Sequence, residues 1–207
     1  MKTIRRKHHY TLVEILTVIV IATILFGIGI PAFSTMIRGS NMTIAIRQLS
    51  AKIQAARAYA VTNRCKVAVL MVTALAGTND ENKYSAYRVC VVNDSNVWQS
   101  WIEDENWTAL PKGIIRASQP AEEVASVPVD SISTETTKNV NALIFEKSGQ
   151  LTATGNVTIN LRQGRCLSGT ADPVYTERNG AGKIINHPIE ITKYTGKVKV
   201  KEPEPES

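Results

Sequence analysis

The stretch YTLVEILTVIVIATILFGIGIPAFSTMI, residues 10–37, decides how the whole chain is read. Its only charged side chain is Glu14, and Ile15 to Ile37 carries none. About 20 consecutive apolar residues carry a helix across the hydrocarbon of a bilayer, and this run is longer. Lys2, Arg5, Arg6 and Lys7 lie directly before it, while Arg38 and mostly neutral polar residues follow. The positive-inside bias then places the N-terminus in the cytoplasm and the remaining chain outside. A secretory signal peptide fits less well, because its apolar core of about 7–15 residues ends at a small-x-small cleavage site. No A-x-A site closes this run. The expectation is a single-pass membrane protein with an external domain.

Glu14 stands out within that run. A carboxylate near the centre of a membrane helix costs roughly 2.5–3.5 kcal/mol on insertion scales, and less near the interface. Two readings follow from the residue itself. An ionisable group inside a membrane segment marks function by default. Alternatively, Glu14 sits at headgroup depth and favours the helix N-terminus, where the macrodipole attracts an anion.

The neighbourhood favours the first reading. A basic leader, then Tyr10-Thr11-Leu12-Val13-Glu14, then an unbroken apolar run resembles the prepilin signature of type IV pili and of type II secretion pseudopilins. The resemblance implies a prepilin peptidase that cuts between His9 and Tyr10 and a methylated amine on Tyr10. It also makes Glu14 the glutamate at the fifth mature position, and Pro31 the helix-weakening proline pilins commonly carry. One position departs from the pattern: the residue before the scissile bond is normally Gly, whose backbone is unhindered, and here an imidazole, His9, must fit that subsite. Implied partners are the prepilin peptidase, other pilin or pseudopilin subunits and an assembly platform in the bacterial inner membrane. Glu14 then has a physical role. The amine freed on Tyr10 of one subunit neutralises Glu14 of a neighbour, because a buried charge needs a partner, and that pairing fixes axial register.

Outward from this stretch the helix continues. Met42, Ile46, Leu49, Ile53, Ala56 and Ala60 recur at spacings of three and four, which puts them on one stripe. Arg47, Lys52 and Arg57 fall off it. A helix from Tyr10 to Asn63 would be roughly 80 Å long at 1.5 Å per residue. Beyond Arg64 the period changes, and Lys66–Leu75, Tyr84–Val92, Gly113–Ser118, Val140–Glu146, Asn156–Leu161, Pro188–Lys193 and Gly196–Lys201 read as strands. Turn signals separate them at Gly77–Asp80, Asn93–Asn96, Ser148-Gly149 and Thr195-Gly196. The polar segment Pro120–Asn139 reads as a long loop. The predicted fold class is α+β, with one long N-terminal helix, its first half in the membrane, packed on an antiparallel β-sheet domain. The expected organisation is a leader at 1–9, a membrane helix at 10–37, its continuation at 38–63, a β-rich external domain at 64–201 and an acidic, proline-rich tail at 202–207.

This second half resembles the GspH/FimT-type minor pseudopilins and minor pilins. The matching features are Ala56-Arg57 with Ala60, Trp107 with Leu110-Pro111 before Gly113, Phe145 and Gly149 before Leu151, and Ile189 with Gly196-Lys197-Val198. The implied function is that of a structural subunit of a type II secretion pseudopilus or a type IV pilus. A DNA-binding minor pilin or a tethered binding module is the alternative.

Composition bounds the rest. With 43% hydrophobic and 20% charged residues in 207, the chain is neither collagenous nor mostly disordered. The net charge of +6 suggests an anionic partner, yet four of the 24 basic residues precede Tyr10, leaving 20 against 18 acidic ones. Nucleic acid is therefore an unlikely partner. Lys197, Lys199 and Lys201 alternate on one strand face and could meet phosphates, but Glu202, Glu204 and Glu206 follow, and a lysine-bearing edge also discourages aggregation. No P-loop, C-x-x-C, H-E-x-x-H or G-x-S-x-G occurs, so no enzyme activity and no cofactor are expected. Cys166 with His187 can be written as nucleophile and base, without any activating pattern. The clusters Asn79–Asn82, Asn93–Asn96 and Glu103–Asn106 lack the calcium-loop pattern and read as turns, so no metal is expected. Cys65, Cys90 and Cys166 would face an oxidising compartment, where one disulfide would leave one thiol, with Cys90 read as core. Trp98, Trp101 and Trp107 read as packing rather than an exposed binding patch.

Overall fold

The structure is a computed structural model that describes residues 11–73, 82–117, 120–167 and 172–206, with the side chains of 28–39 outside the description. The chain divides into two units, Met1–Ser40 and Asn41–Ser207. One helix, α1 (Leu12–Asn63), belongs to both. Its start is a capping box. The Glu14 amide donates to Thr11 Oγ1 (3.2 Å) and the Thr11 amide donates to Glu14 Oε2 (3.3 Å), which satisfies two of the otherwise orphaned first-turn donors. Its end is a Schellman turn: Arg64 takes a left-handed φ of 51° and the Cys65 amide donates to the Ala60 carbonyl (3.3 Å). Among the described residues no helix is long and apolar enough to cross a membrane. The remainder of the apolar run, 28–37, falls among the side chains outside the description.

In the second unit the helical stripe docks onto sheet. Met42, Leu49, Ile53, Ala56 and Ala60 are buried as the spacing predicts, while Ile46 packs at the margin and Ala45 takes the closer position. Small residues at 45, 56 and 60 let the backbone approach. Leu49 and Ile53 each contribute roughly 1.5–3 kcal/mol of apolar burial.

The strands are β1 (Lys66–Met71), β2 (Ala86–Val92), β3 (Trp98–Trp101), β4 (Thr108–Ala109), β5 (Ile114–Arg116), β6 (Glu122–Pro128), β7 (Thr137–Phe145), β8 (Val157–Cys166), β9 (Pro173–Tyr175), β10 (Ile185–Ile191), β11 (Val198–Val200) and β12 (Glu204–Pro205). They form two antiparallel sheets. The first runs β3-β2-β1-β7-β6, with β4 beside β2; the second runs β11-β10-β8-β5, with β9 beside β8 and β12 beside β10. α1 packs over a core drawn from both, including Val67, Val69, Phe145, Ile159, Leu161 and Ile189.

The segment 120–139 corrects the expectation of a loop. It contains β6, paired with β7 through a bulge between Val124 and Val127, where Ser126 adopts a φ of 57°. The Ala125 amide donates to the Asn96 carbonyl (3.1 Å) and Val97 bridges Ala125, so the two outer strands of the first sheet meet. The sheet thus curls on itself around a second core of Ala68, Leu70, Val72, Cys90, Val124, Val127, Val140 and Ile144. β1 is buried at every position because its odd residues face the helix and its even residues face this interior. The tail is exposed at 202–205, and within it Glu204–Pro205 pairs with Ile185–Asn186 as a short strand.

Candidate functional site

In the first unit, Glu14 lies at the cap of α1, in the arrangement expected of a helix-supporting anion. The box uses Oε2 for the Thr11 amide and hydroxyl, and a carboxylate accepts more bonds than these. Around and beyond it Leu12, Val13, Ile15, Leu16, Val18, Ile19, Val20, Ile21, Ile24, Leu25 and Phe26 are all exposed, from 48% for Val20 to 79% for Leu12. These positions surround the helix instead of lining one face, which is the pattern of a helix covered on all sides in its working state. His9 and Tyr10 lie outside the described residues, and Pro31 lies within α1 with its side chain outside the description.

In the second unit, three of the motif residues meet at the far end of α1. Arg57 Nε donates to the Gly149 carbonyl (3.2 Å). Gly149 and Gly196 adopt φ of 81° and 59°. A Cβ on Gly196 would lie 2.3 Å from the Gly149 carbonyl oxygen and 2.7 Å from Arg57 Cδ. A Cβ on Gly149 would lie 2.8 Å from Val61 Cγ2. The β7–β8 and β10–β11 turns can therefore seat against the helix only where side chains are absent. Leu151 completes the joint by donating its amide to Lys193 O (2.9 Å).

A second joint ties α1 to the tryptophans. Lys52 Nζ donates to Glu105 Oε1 (2.7 Å), while Arg88 donates to the Glu105 carbonyl. The Arg88 guanidinium stacks 3.5 Å from the centre of the Trp101 ring. Trp98–Trp101 and Trp101–Trp107 make edge-to-face contacts at 5.6 and 5.8 Å. Burial pushes the Arg88 pKa down, and Glu105 opposes the shift. The three tryptophans pack against the interior of the curled sheet.

The remaining candidates are dispersed. His187 sits opposite Leu161 in the β8–β10 ladder, five residues from Cys166 along β8, or about 16 Å at the strand rise. His187 Nε2 instead faces Glu177 (3.2 Å), and Cys166 Sγ donates to the Lys83 carbonyl (3.8 Å). The structure thus separates that pair. Asn93 Oδ1 accepts from the amides of Ser95 and Val97, which makes its cluster a turn; Asn79, Asp80 and Glu81 lie outside the described residues. Lys197 is exposed, Lys199 registers against Glu190, and Lys201 pairs with Glu190 at 3.3 Å, so the lysine face carries an internal counter-charge.

The three cysteines stand as thiols. Cys90 is fully buried, and burial pushes its pKa up to about 12. At pH 8 it is therefore essentially all protonated and shielded. In alkylation followed by mass spectrometry of the native chain, Cys90 is expected to stay unmodified while Cys65 and Cys166 react, with full labelling only after denaturation. Labelling of Cys90 in the native state would contradict the packing of the second core.

Sequence reasoning passed over three buried cations. Arg116 is 1% exposed, donates through Nη2 to the Val72 carbonyl (2.8 Å), and has its pKa pushed down by burial. Lys66 holds Glu146 (3.2 Å) and Asn96 Oδ1 (3.1 Å), and Arg162 holds Asn186 and Glu206. Lys66 and Arg116 sit beside valine and isoleucine runs that mask them, and Arg162 lies between Leu161 and Gln163 in β8. A cleft of about 340 Å³ opens near Lys83, Leu110, Lys112, Ile115 and Arg165.

Comparison with known proteins bears on the whole. The family described as type II transport protein GspH matches residues 45–174. No curated protein matches the chain by sequence. Among solved structures, the type IV minor pilin FimU of Pseudomonas aeruginosa is similar at 13% identity and a TM-score of 0.45, covering 80% of this chain and 90% of that one. The minor pseudopilin EpsH from the Type 2 Secretion System of Vibrio cholerae is similar at 12% identity and a TM-score of 0.42, covering 77% of this chain and 94% of that one.

Proposed function

We propose that this chain, which belongs to the GspH family of type II transport proteins, is a minor filament subunit drawn from the bacterial inner membrane. The filament is a type II secretion pseudopilus or a type IV pilus. Residues 10–37 anchor the subunit in the bilayer with the N-terminus in the cytoplasm, and the domain beyond is extracytoplasmic. On joining the filament, the same helix moves from lipid to contacts with sister helices.

One observation carries this reading. The first unit presents large apolar side chains around the whole of α1 from Leu12 to Phe26. Water is a poor surrounding for such a surface; a lipid bilayer and a bundle of like helices both suit it. The protein contributes a polymerising stem and a folded domain for contacts with neighbours. Its working partners are a prepilin peptidase, other pilin or pseudopilin subunits, and the inner-membrane platform that extracts them.

The processing step is testable at the level of mass. Chain recovered from cells that contain a prepilin peptidase is expected to begin at Tyr10, with a methyl group on its amine. Intact-mass and N-terminal peptide analysis read both changes at once. Recovery of the chain with Met1 to His9 still attached, in cells that process other prepilins, would overturn the assignment of the site.

A further inference from the structure

Arg162, on β8, is a cation built into the domain and only 8% exposed. Its Nε donates to Asn186 Oδ1 (2.6 Å), its Nη2 donates to Glu206 Oε1 (2.8 Å), and its guanidinium lies 4.7 Å from the centre of the Tyr175 ring. Asn186 is itself buried. Residues from β8, β9 and β10 thus fix the guanidinium at the end of β10, where Ile185 and Asn186 pair with Pro205 and Glu204. The result is a seat with two elements: a strand edge that takes a backbone, and a positive group that takes one carboxylate.

The occupant of that seat is far less firmly made than the seat. Residues 201–205 are exposed. Pro203 and Pro205 have no amide hydrogen to give, and the pairing spans two residues. Among the described residues, the Lys201 amide donates to the Pro188 carbonyl (3.0 Å) where the tail leaves β11, and beyond the strand pairing Glu206 donates its amide to the Ile184 carbonyl (2.8 Å) and places its carboxylate on Arg162. Arg178 and Lys183, both exposed and close in sequence to β10, add positive charge near an acidic strand. A buried receptor holding an exposed, proline-interrupted ligand is the asymmetry of a binding site, not of a core strand.

We propose that this seat is a docking site for an extended acidic segment of a partner protein, and that residues 202–206 are its resident, exchangeable occupant. The partner adds as a strand along Ile185 and Asn186 and places one carboxylate on Arg162. Main-chain bonds give affinity in this mode and the side-chain pocket gives specificity, here a charge-assisted guanidinium–carboxylate pair. While no partner is present, the tail covers an edge that would otherwise invite unwanted pairing. The inference is independent of filament assembly.

The test compares the full chain in detergent micelles with a chain from which Glu202–Ser207 are removed. The probe is a fluorescein-labelled peptide of sequence Lys-Glu-Pro-Glu-Pro-Glu, read by fluorescence anisotropy. The shortened chain is expected to bind it, and the full chain to bind at least ~10-fold more weakly because its own tail competes. Arg162→Met in the shortened chain is expected to lose at least ~10-fold in affinity. In the full chain, Glu206→Gln loosens the resident tail and is expected to tighten probe binding. A shortened chain that keeps its circular dichroism and melting midpoint without binding the probe overturns the proposal. So does binding indifferent to Arg162→Met, or a Glu206→Gln chain no tighter than the parent. Unfolding of the shortened chain overturns it as well, since the tail would then be an integral strand.

Discussion

Gly196→Ala unfolds at a much lower urea concentration than the parent chain, with a loss large enough to threaten the fold. Two costs combine at this position. A left-handed backbone costs a residue with a Cβ about 1–2 kcal/mol, and Gly196 holds a φ of 59°. The new methyl would also lie 2.3 Å from the carbonyl oxygen of Gly149 and 2.7 Å from Arg57 Cδ. The arginine stem can swing aside, but the carbonyl belongs to a turn fixed by the Gly149 amide donating to Glu146 O (2.8 Å). Forced overpacking of this kind costs about 1–3 kcal/mol, against a total stability of about 5–15 kcal/mol for a domain. Two other glycines separate the contributions. Gly182 has a φ of 78° with nothing within 4 Å of its would-be Cβ, so Gly182→Ala is expected to show the backbone cost alone. Gly180 is equally open and its φ lies outside the left-handed region, so Gly180→Ala is expected to be nearly neutral. The measurement is the urea midpoint of tryptophan fluorescence for all three chains. An ordering other than Gly196 worst, Gly182 intermediate and Gly180 least would contradict the joint between α1 and its two turns.

That joint also shows what the sequence could disclose and what it could not. Arg57, Gly149 and Gly196 were visible as separate motif positions 92 and 139 residues from the arginine on either side of several strands. Their meeting point is a property of the fold. The helix was legible because α1 obeys one period from Met42 to Ala60, and the central strands because β1 and β7 are dense in β-branched residues. β6 was hidden for a physical reason. Its inward positions, Val124 and Val127, are three apart because a bulge inserts an extra residue, so a period-two search through Ser, Glu and Pro finds nothing. β3 was hidden because its pairing runs through Trp98 and Trp101, which meet edge to face with little alternation to betray a strand, and β4 because it spans only Thr108 and Ala109.

The candidate site was legible in a different way. Charge is what made Glu14 conspicuous, since one carboxylate in an apolar run violates the hydropathy of its surroundings. The same rule applied to Arg116 and Arg162 would have marked them too. Each follows a buried residue in its strand, Ile115 and Leu161, but strands alternate faces, so an arginine at such a position is ordinarily assigned to solvent. Only the second sheet, with the tail along its edge, shows that Arg162 points inward to Asn186 and Glu206.

Glu14→Leu is expected to insert into the membrane at least as well as the parent and to be absent from filaments. Insertion improves because a carboxylate in hydrocarbon costs roughly 2.5–3.5 kcal/mol at mid-depth and a leucine costs nothing. Assembly fails because the amine freed on Tyr10 of the neighbouring subunit would enter an apolar bundle without a counter-charge, and an unpaired buried charge is strongly penalised. The capping box seen at Thr11 and Glu14 offers a competing account, in which the side chain merely supports the first turn of α1. Glu14→Gln separates the two. Glutamine keeps an acceptor at the third helical position, and capping boxes accept it, whereas it carries no charge to neutralise an amine. If the box is the whole role, Glu14→Gln subunits enter filaments as the parent does. If charge pairing is the role, both variants accumulate in the membrane fraction and both are missing from sheared filaments, as immunoblots of the two fractions would read. The second outcome is expected, because the cap is worth only about 0.5–2 kcal/mol to one helix end and α1 has a 52-residue ladder to hold it, while the proposed pairing would recur at every subunit along the filament.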